Sequence, residues 1–168
     1  MTRIGLLSDT HGFLDDAYFD FFKDVNEIWH AGDIGDVSVS DRLEKFKPLR
    51  AVFGNIDGYN MRIRYPEHQQ FTIEKVRVWM THIGGYPGRY APQVKPGIYR
   101  NPPRIFVSGH SHILKVMPDK NLHLLHINPG AAGNHGIHRV KTIIRFCIDG
   151  EKITDLEVFE KDRKQSIV

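Results

Sequence analysis

The 168-residue chain is 40% hydrophobic and 26% charged, the composition of a globular protein able to bury a core of its own. No apolar run approaches the roughly 20 residues of a membrane helix, so no membrane partner is expected. The net charge of +3 is mild and its basic residues are scattered, with no lysine/arginine block and no basic–aromatic stripe, which argues against a nucleic-acid surface. A single cysteine, Cys147, precludes an internal disulfide framework and fits a reducing cytosol, with Cys147 itself read as a buried strand residue. Met1-Thr2-Arg3 runs straight into a strand pattern, so a cytoplasmic protein without a leader peptide is expected.

Taken in chain order, Arg3–Ser8 reads as a buried first strand. Asp15–Val25 reads as an amphipathic helix whose apolar face is Tyr18, Phe19, Phe21 and Phe22. Glu27–Ala31 is a short second strand. Ser38–Phe46 is a helix capped by Ser38 or Ser40 and stopped by Pro48, and Leu49–Phe53 is a third strand. That β-α-β-α-β order predicts a parallel sheet with right-handed crossovers. The second half reads almost wholly as strands: Gln69–Glu74, Val76–Thr81, Arg104–Ser108, Leu114–Pro118, Leu122–Ile127, Lys141–Ile148 and Lys152–Phe159, with Asp149-Gly150 as a hairpin turn. Two sheets packed face to face with helices outside are expected, in a single domain over residues 1–168. Ile83–Pro103, rich in glycine and proline, reads either as a surface excursion or as a substrate-facing flap.

Histidine is unusually common, with ten in the chain, and its placement carries the functional signal. Five apolar runs each end on a residue able to bind a metal: Asp9, Asp33, Asn55, His82 and His110, with His11 and His112 two positions after the first and last. In open α/β sheets ligands bind beyond the carboxyl ends of the strands, so these seven side chains describe one site, with room for two ions. Carboxylate and imidazole donors suit Mn, Fe, Zn, Ni or Co, and no thiolate is present to favour a soft metal. Paired ions recur in phosphatases and nucleases. Gly32, Gly54 and Gly109 precede three of the ligands and let the backbone turn sharply.

The fragments Asp9-Thr10-His11, Gly32-Asp33, Gly54-Asn55-Ile56-Asp57, Thr81-His82 and Gly109-His110-Ser111-His112, in that order, resemble the calcineurin-like metallophosphoesterases. The likeness is to the small single-domain phosphodiesterase branch that includes the retromer subunit Vps29, and Asn128-Pro129-Gly130 resembles a further segment of it. The resemblance implies an αββα four-layer sandwich of two mixed sheets. It implies Asp9, His11, Asp33 and His112 around a first divalent ion and Asp33, Asn55, His82 and His110 around a second, with Asp33 bridging and manganese the leading metal. It also implies that a bridging hydroxide attacks phosphorus, with Asp33, Asn55 and His110 closest to the chemistry and a small-molecule phosphodiester as substrate.

Many members of the wider family carry a histidine after the GN pair that can protonate the leaving group. Ile56 stands there and cannot, so activated aryl diesters should be hydrolysed better than alkyl ones. Asp57 is read as orienting the Asn55 loop, His30 as a core or supporting residue, and His135 and His138 as solvated loop residues. His123 and His126 are assigned to a strand and its edge. Arg89, Tyr90 and Arg100, with Tyr86 and Tyr99, are candidates to clamp a phosphate or stack on a base. Two other functions stay open: a non-catalytic Vps29-like binding scaffold, against which the full ligand set argues, and a nuclease. Self-association is open too.

Overall fold

The computed structural model describes residues 1–163, so the last five residues of the expected domain lie outside it. In chain order the elements are β1 (Thr2–Leu7), α1 (Ala17–Phe21), β2 (Glu27–His30), α2 (Val37–Phe46), β3 (Leu49–Ala51), α3 (Tyr59–Arg64), β4 (His68–Ile73), β5 (Val76–Thr81), β6 (Gly85–Tyr86), β7 (Arg89–Tyr90), α4 (Lys95–Arg100), β8 (Ile105–Val107), β9 (Leu114–Asp119), β10 (Leu124–Pro129), β11 (Val140–Asp149) and β12 (Lys152–Asp162). One sheet has the order β12-β11-β1-β2-β3 and the other β4-β5-β8-β10-β9. Both are mixed. β1, β2 and β3 run parallel, as the β-α-β-α-β reading requires, and β5, β8 and β10 form the parallel centre of the second sheet.

Side-chain alternation explains how the layers stack. Ile4 and Leu6 of β1 face the second sheet, with Trp29, Ile144 and Phe146 beside them and Val78, Met80, Val107 and Ile127 opposite. Leu7, Ile28 and Ile143 point the other way, onto Tyr18, Phe22 and Leu43 of the helical layer. The second sheet is covered on its outer face by Tyr90, Val94 and Ile98 packed on Trp79 and Phe106. The arrangement is the expected αββα sandwich.

Four local readings change. The first helix is only five residues long, and beyond it hydrogen bonds such as Val25 N–H to Phe22 O span three residues rather than four. Its run of four aromatics loses side-chain freedom in a helix, which weakens propagation. The cap of α2 is Asp36, not Ser38 or Ser40: its carboxylate accepts from Ser38 N at 2.8 Å. The last hairpin turns through Gly150-Glu151, one residue later than read, because Asp149 pairs with Lys152. Ile83–Pro103 is folded, as the β6–β7 ribbon and α4, and α3 and α4 were not legible as helices.

Replacing the cap, Asp36→Ala, should lower the unfolding free energy by about 1 kcal/mol. Urea denaturation of the two proteins, with equal m-values, checks it.

Candidate metal centre

The site forms where the carboxyl ends of β1, β2, β5 and β8 meet at one rim of the sandwich. Past these ends the chain turns abruptly. Asp9, His11, Asp33, His110 and His112 all adopt positive φ, between 46° and 69°. Such conformations cost L-residues of order 1–3 kcal/mol each unless the surroundings fix them. Here they are fixed by backbone bonds between the loops: Asp9 N–H to Gly32 O at 2.9 Å, His11 N–H to Asp33 O at 3.0 Å and Gly109 N–H to His82 O at 2.9 Å. Close approach of the loops also explains two of the glycines. A Cβ at Gly54 would collide with Asp33, and one at Gly109 with Ser8 and Asp9.

The seven sequence-predicted residues come together. Asp9, His11 and His112 offer one cluster of ligand atoms, and Asp33, His82 and His110 offer another. Asp9 Oδ1 lies 3.2 Å from His112 Nε2 and 3.9 Å from His11 Nε2. Asp33 Oδ2 stands between the two clusters, 3.5 Å from His11 Nε2 and 3.2 Å from His82 Nε2. Asn55 joins through its Oδ1, 3.0 Å from His110 Nδ1. Two donors bound to one ion at about 2.1 Å are roughly 3.0–3.4 Å apart at octahedral to tetrahedral angles, so the 3.0 and 3.2 Å spacings suit a first-row divalent metal directly, while the 3.5 and 3.9 Å spacings at His11 need wider angles at the ion.

The donor set passes a second test of fit. Asp9 Oδ1, His11 Nε2 and His82 Nε2 are buried polar atoms with no hydrogen-bond partner in the protein, although buried polar groups are nearly always satisfied. All three face the same space. The remaining atoms of these side chains are engaged in ways that aim them there. His82 Nδ1 donates to Ala31 O at 2.8 Å, leaving the Nε2 lone pair inward. Asp9 Oδ2 accepts from Ser8 Oγ at 2.7 Å and from His110 N at 3.1 Å, and Asp33 Oδ1 accepts from Ile56 N at 3.1 Å.

The model of the calcineurin-like phosphoesterase superfamily domain matches residues 2–151. The chain belongs to that superfamily. A probable metallophosphoesterase of Methanothermobacter thermautotrophicus is 32% identical to this phosphoesterase over 160 residues, covering 92% of this chain and 90% of that protein. Among solved structures, Vps29 from Entamoeba histolytica complexed with zinc is similar at a TM-score of 0.74 and 14% identity, over 96% of this chain and 99% of that one. A structure described as a novel archaeal phosphodiesterase is similar at 0.70 and 20% identity, over 94% and 99%. At such identities the two structures speak for the fold.

Residues around the cluster hold this phosphoesterase's candidate ligands in place. Asp57 ties the Asp33 and Asn55 loops together: Oδ2 accepts from Ile34 N at 3.1 Å and Gly54 N at 2.8 Å, and Oδ1 from Gly35 N at 2.9 Å. His30 is fully buried, accepts from Gly32 N at 3.1 Å and meets Thr10 Oγ1 at 3.0 Å, and burial pushes it down to about 4. Asn128 pins the last ligand loop through Gly109 O at 2.9 Å and Ser111 Oγ at 3.1 Å. Nothing in the sequence singled out Ser8, and Asn128 was visible only as the start of the Asn-Pro-Gly turn.

Two readings of the flanking loops need revision. His135 stacks on His11 with centroids 4.7 Å apart, and His138 meets the His112 ring edge at 5.2 Å. The Gly130–His138 loop therefore borders the site, with His135 solvent-exposed as read and His138 half-buried, its Nε2 donating to Gly133 O at 2.8 Å. Tyr90 is buried against Phe106, and its hydroxyl donates to Asp119 at 2.7 Å. Arg89 and Arg100 are exposed, and among the described residues neither bonds to any of the seven clustered side chains.

Charge determines how the site answers to pH. Burial disfavours a proton on His82, but the Asp33 and Asp9 carboxylates outweigh it and raise the imidazole above its ordinary value. Burial dominates at His11 and lowers it. A cation therefore competes with a proton at His82 up to higher pH than at His11. Affinity for Mn²⁺, measured by titrating chelator-treated protein, should rise about tenfold per pH unit below the raised His82 value and level off above it. Affinity independent of pH from 5.5 to 8 would contradict the raised imidazole.

Proposed function

We propose that this protein is a phosphodiesterase that hydrolyses a small-molecule phosphodiester in the cytoplasm on a pair of divalent ions, manganese first among Mn, Fe, Ni, Zn and Co. The supporting observation is the single carboxylate oxygen, Asp33 Oδ2, between imidazoles of the two ligand clusters. The fold-level likeness to an archaeal phosphodiesterase points the same way. Two divalent ions against the carboxylates of Asp9 and Asp33 leave a net charge of about +2, which attracts a phosphate anion. When bound, the ions supply Lewis-acid polarisation of the phosphoryl oxygens.

The chain's own residues supply position and polarity. Asn55 Oδ1 is turned to His110, and its Nδ2 has no partner among the described residues, so it can donate to a phosphoryl oxygen. Ser8, Ile56 and Asp57 hold the carboxylates and the Asn55 loop rigid, so little reorganisation accompanies the reaction. Ile56, 46% exposed beside Asn55, has no proton to give a leaving group. Leaving groups that are stable as anions are therefore favoured.

The experiment is turnover of bis(p-nitrophenyl) phosphate before and after chelation, with metal analysis of the same sample. The expected result is two ions per chain, activity lost on chelation and restored by Mn²⁺, and His82→Ala folded with at least about 100-fold less activity. An aryl diester should be cleaved about 10²–10⁴-fold faster than an alkyl diester beyond their uncatalysed difference. Two tightly bound ions with no turnover of any diester would instead favour the Vps29-like scaffold.

A further inference from the structure

Beside His110 a cleft of about 290 Å³ opens between the β6–β7 ribbon and the second sheet. That is near the lower end of the roughly 300–1,000 Å³ typical of ligand pockets. Its mouth is apolar. Ile83 and Ile113 line it, each directly following a metal ligand, and they are 37% and 60% exposed. Tyr86 forms one wall, and the wall is anchored: Ser108 Oγ donates to Gly85 O at 3.1 Å, and Ala91 N–H donates to Gly84 O at 3.0 Å.

The polar groups in the cleft are few and of one kind of charge. Lys115 lies 3.6 Å from the centroid of the Tyr86 ring and pairs with no carboxylate among the described residues. No aspartate or glutamate lines the cleft. His126 reaches it from β10. His126 is 1% exposed, and its Nδ1 donates to Phe106 O at 3.2 Å, which leaves Nε2 as the ring's free acceptor at a residue lining the cleft. Burial pushes this imidazole down to about 4, which keeps it neutral and accepting at physiological pH. The cleft thus asks for a flat apolar body, a donor for His126 and an acceptor edge for Lys115.

We propose that this cleft is the subsite for one ester substituent of the substrate and takes a heteroaromatic ring, with a ring N–H donating to His126 Nε2 and the body packed among Ile83, Tyr86 and Ile113. The inference rests on the phosphodiesterase reading for the placement of the phosphate, since His110 lines the cleft and belongs to the metal cluster. It goes further by naming what flanks that phosphate. A saturated polyol would leave the isoleucines exposed, and a purely hydrocarbon ring would leave His126 without its donor.

Calorimetry on the Mn²⁺-loaded protein tests the subsite without turnover. The probes are methylphosphonate monoesters of methanol, 2-naphthol and 5-hydroxyindole. The expected order of affinity is indolyl over naphthyl over methyl, with about tenfold at each step, the second set by ring burial and the first by one buried hydrogen bond. His126→Phe should bring the indolyl-to-naphthyl ratio to near one. Should that variant not fold, Tyr86→Ala should cut the naphthyl-to-methyl ratio several-fold. Equal affinities for the three probes, or ratios unmoved by the folded variants, would overturn the subsite. Failure of the phosphodiesterase reading is separate: it shows as no turnover of methyl p-nitrophenyl phosphate, whatever the ranking of the phosphonates.

Discussion

Two carboxylates share one buried pocket, and much of the rim follows from keeping them there. His82 Nε2 is 3.8 Å from Asp9 Oδ1 and 3.2 Å from Asp33 Oδ2, which puts the two oxygens within about 7 Å of each other. At an effective dielectric of about 20, two like charges at that distance repel by about 2 kcal/mol, on top of the cost of taking each from water. No lysine or arginine pairs with either among the described residues; the ionisable groups that face them are imidazoles. The carboxylates raise only His82 toward its protonated form, while burial lowers His11, so imidazole charge does not balance the pair. The arrangement is electrostatically incomplete in a way that divalent cations satisfy, and Asp9 Oδ1, His11 Nε2 and His82 Nε2, three of the four unpartnered buried side-chain atoms among the described residues, mark where that charge belongs.

Holding such a site takes rigidity, which the sheets provide. The ligands are carried on tight turns immediately after parallel strands, so their backbone positions are set by ladders buried on both faces. Positive φ at five of the seven candidate ligands is tolerated because each turn is laced to its neighbour by main-chain bonds and by the side chains of Asp57 and Asn128. Preorganisation therefore comes from the fold before any ion or substrate arrives. The same geometry leaves one flank open beside His110, and the chemistry of that flank differs from the centre: apolar, cationic and without acid.

Strand positions and ligand positions were legible in the sequence for one reason. A buried parallel strand is an apolar run, and a polar residue that stops the run lies at its carboxyl end, as Asp9, Asp33 and His82 do. What supports the ligands was less legible. Ser8 and Asn128 look like ordinary strand-end polar residues, and their partners are distant in sequence. Helices α3 and α4 are six residues each, too short to show a helical period, and α4 follows Pro92 and contains Pro96. Composition alone misled on Tyr90: an aromatic in a proline-rich segment reads as a ligand platform, yet here it fills the outer core while Tyr86, four residues earlier, faces the cleft.

The most direct measurement is an anomalous-scattering map from crystals of the Mn²⁺-loaded protein. The account predicts two peaks, roughly 3.5–4 Å apart, with Asp33 between them, Asp9, His11 and His112 on one side and Asn55, His82 and His110 on the other. A single peak, or two peaks that do not share Asp33, would contradict it.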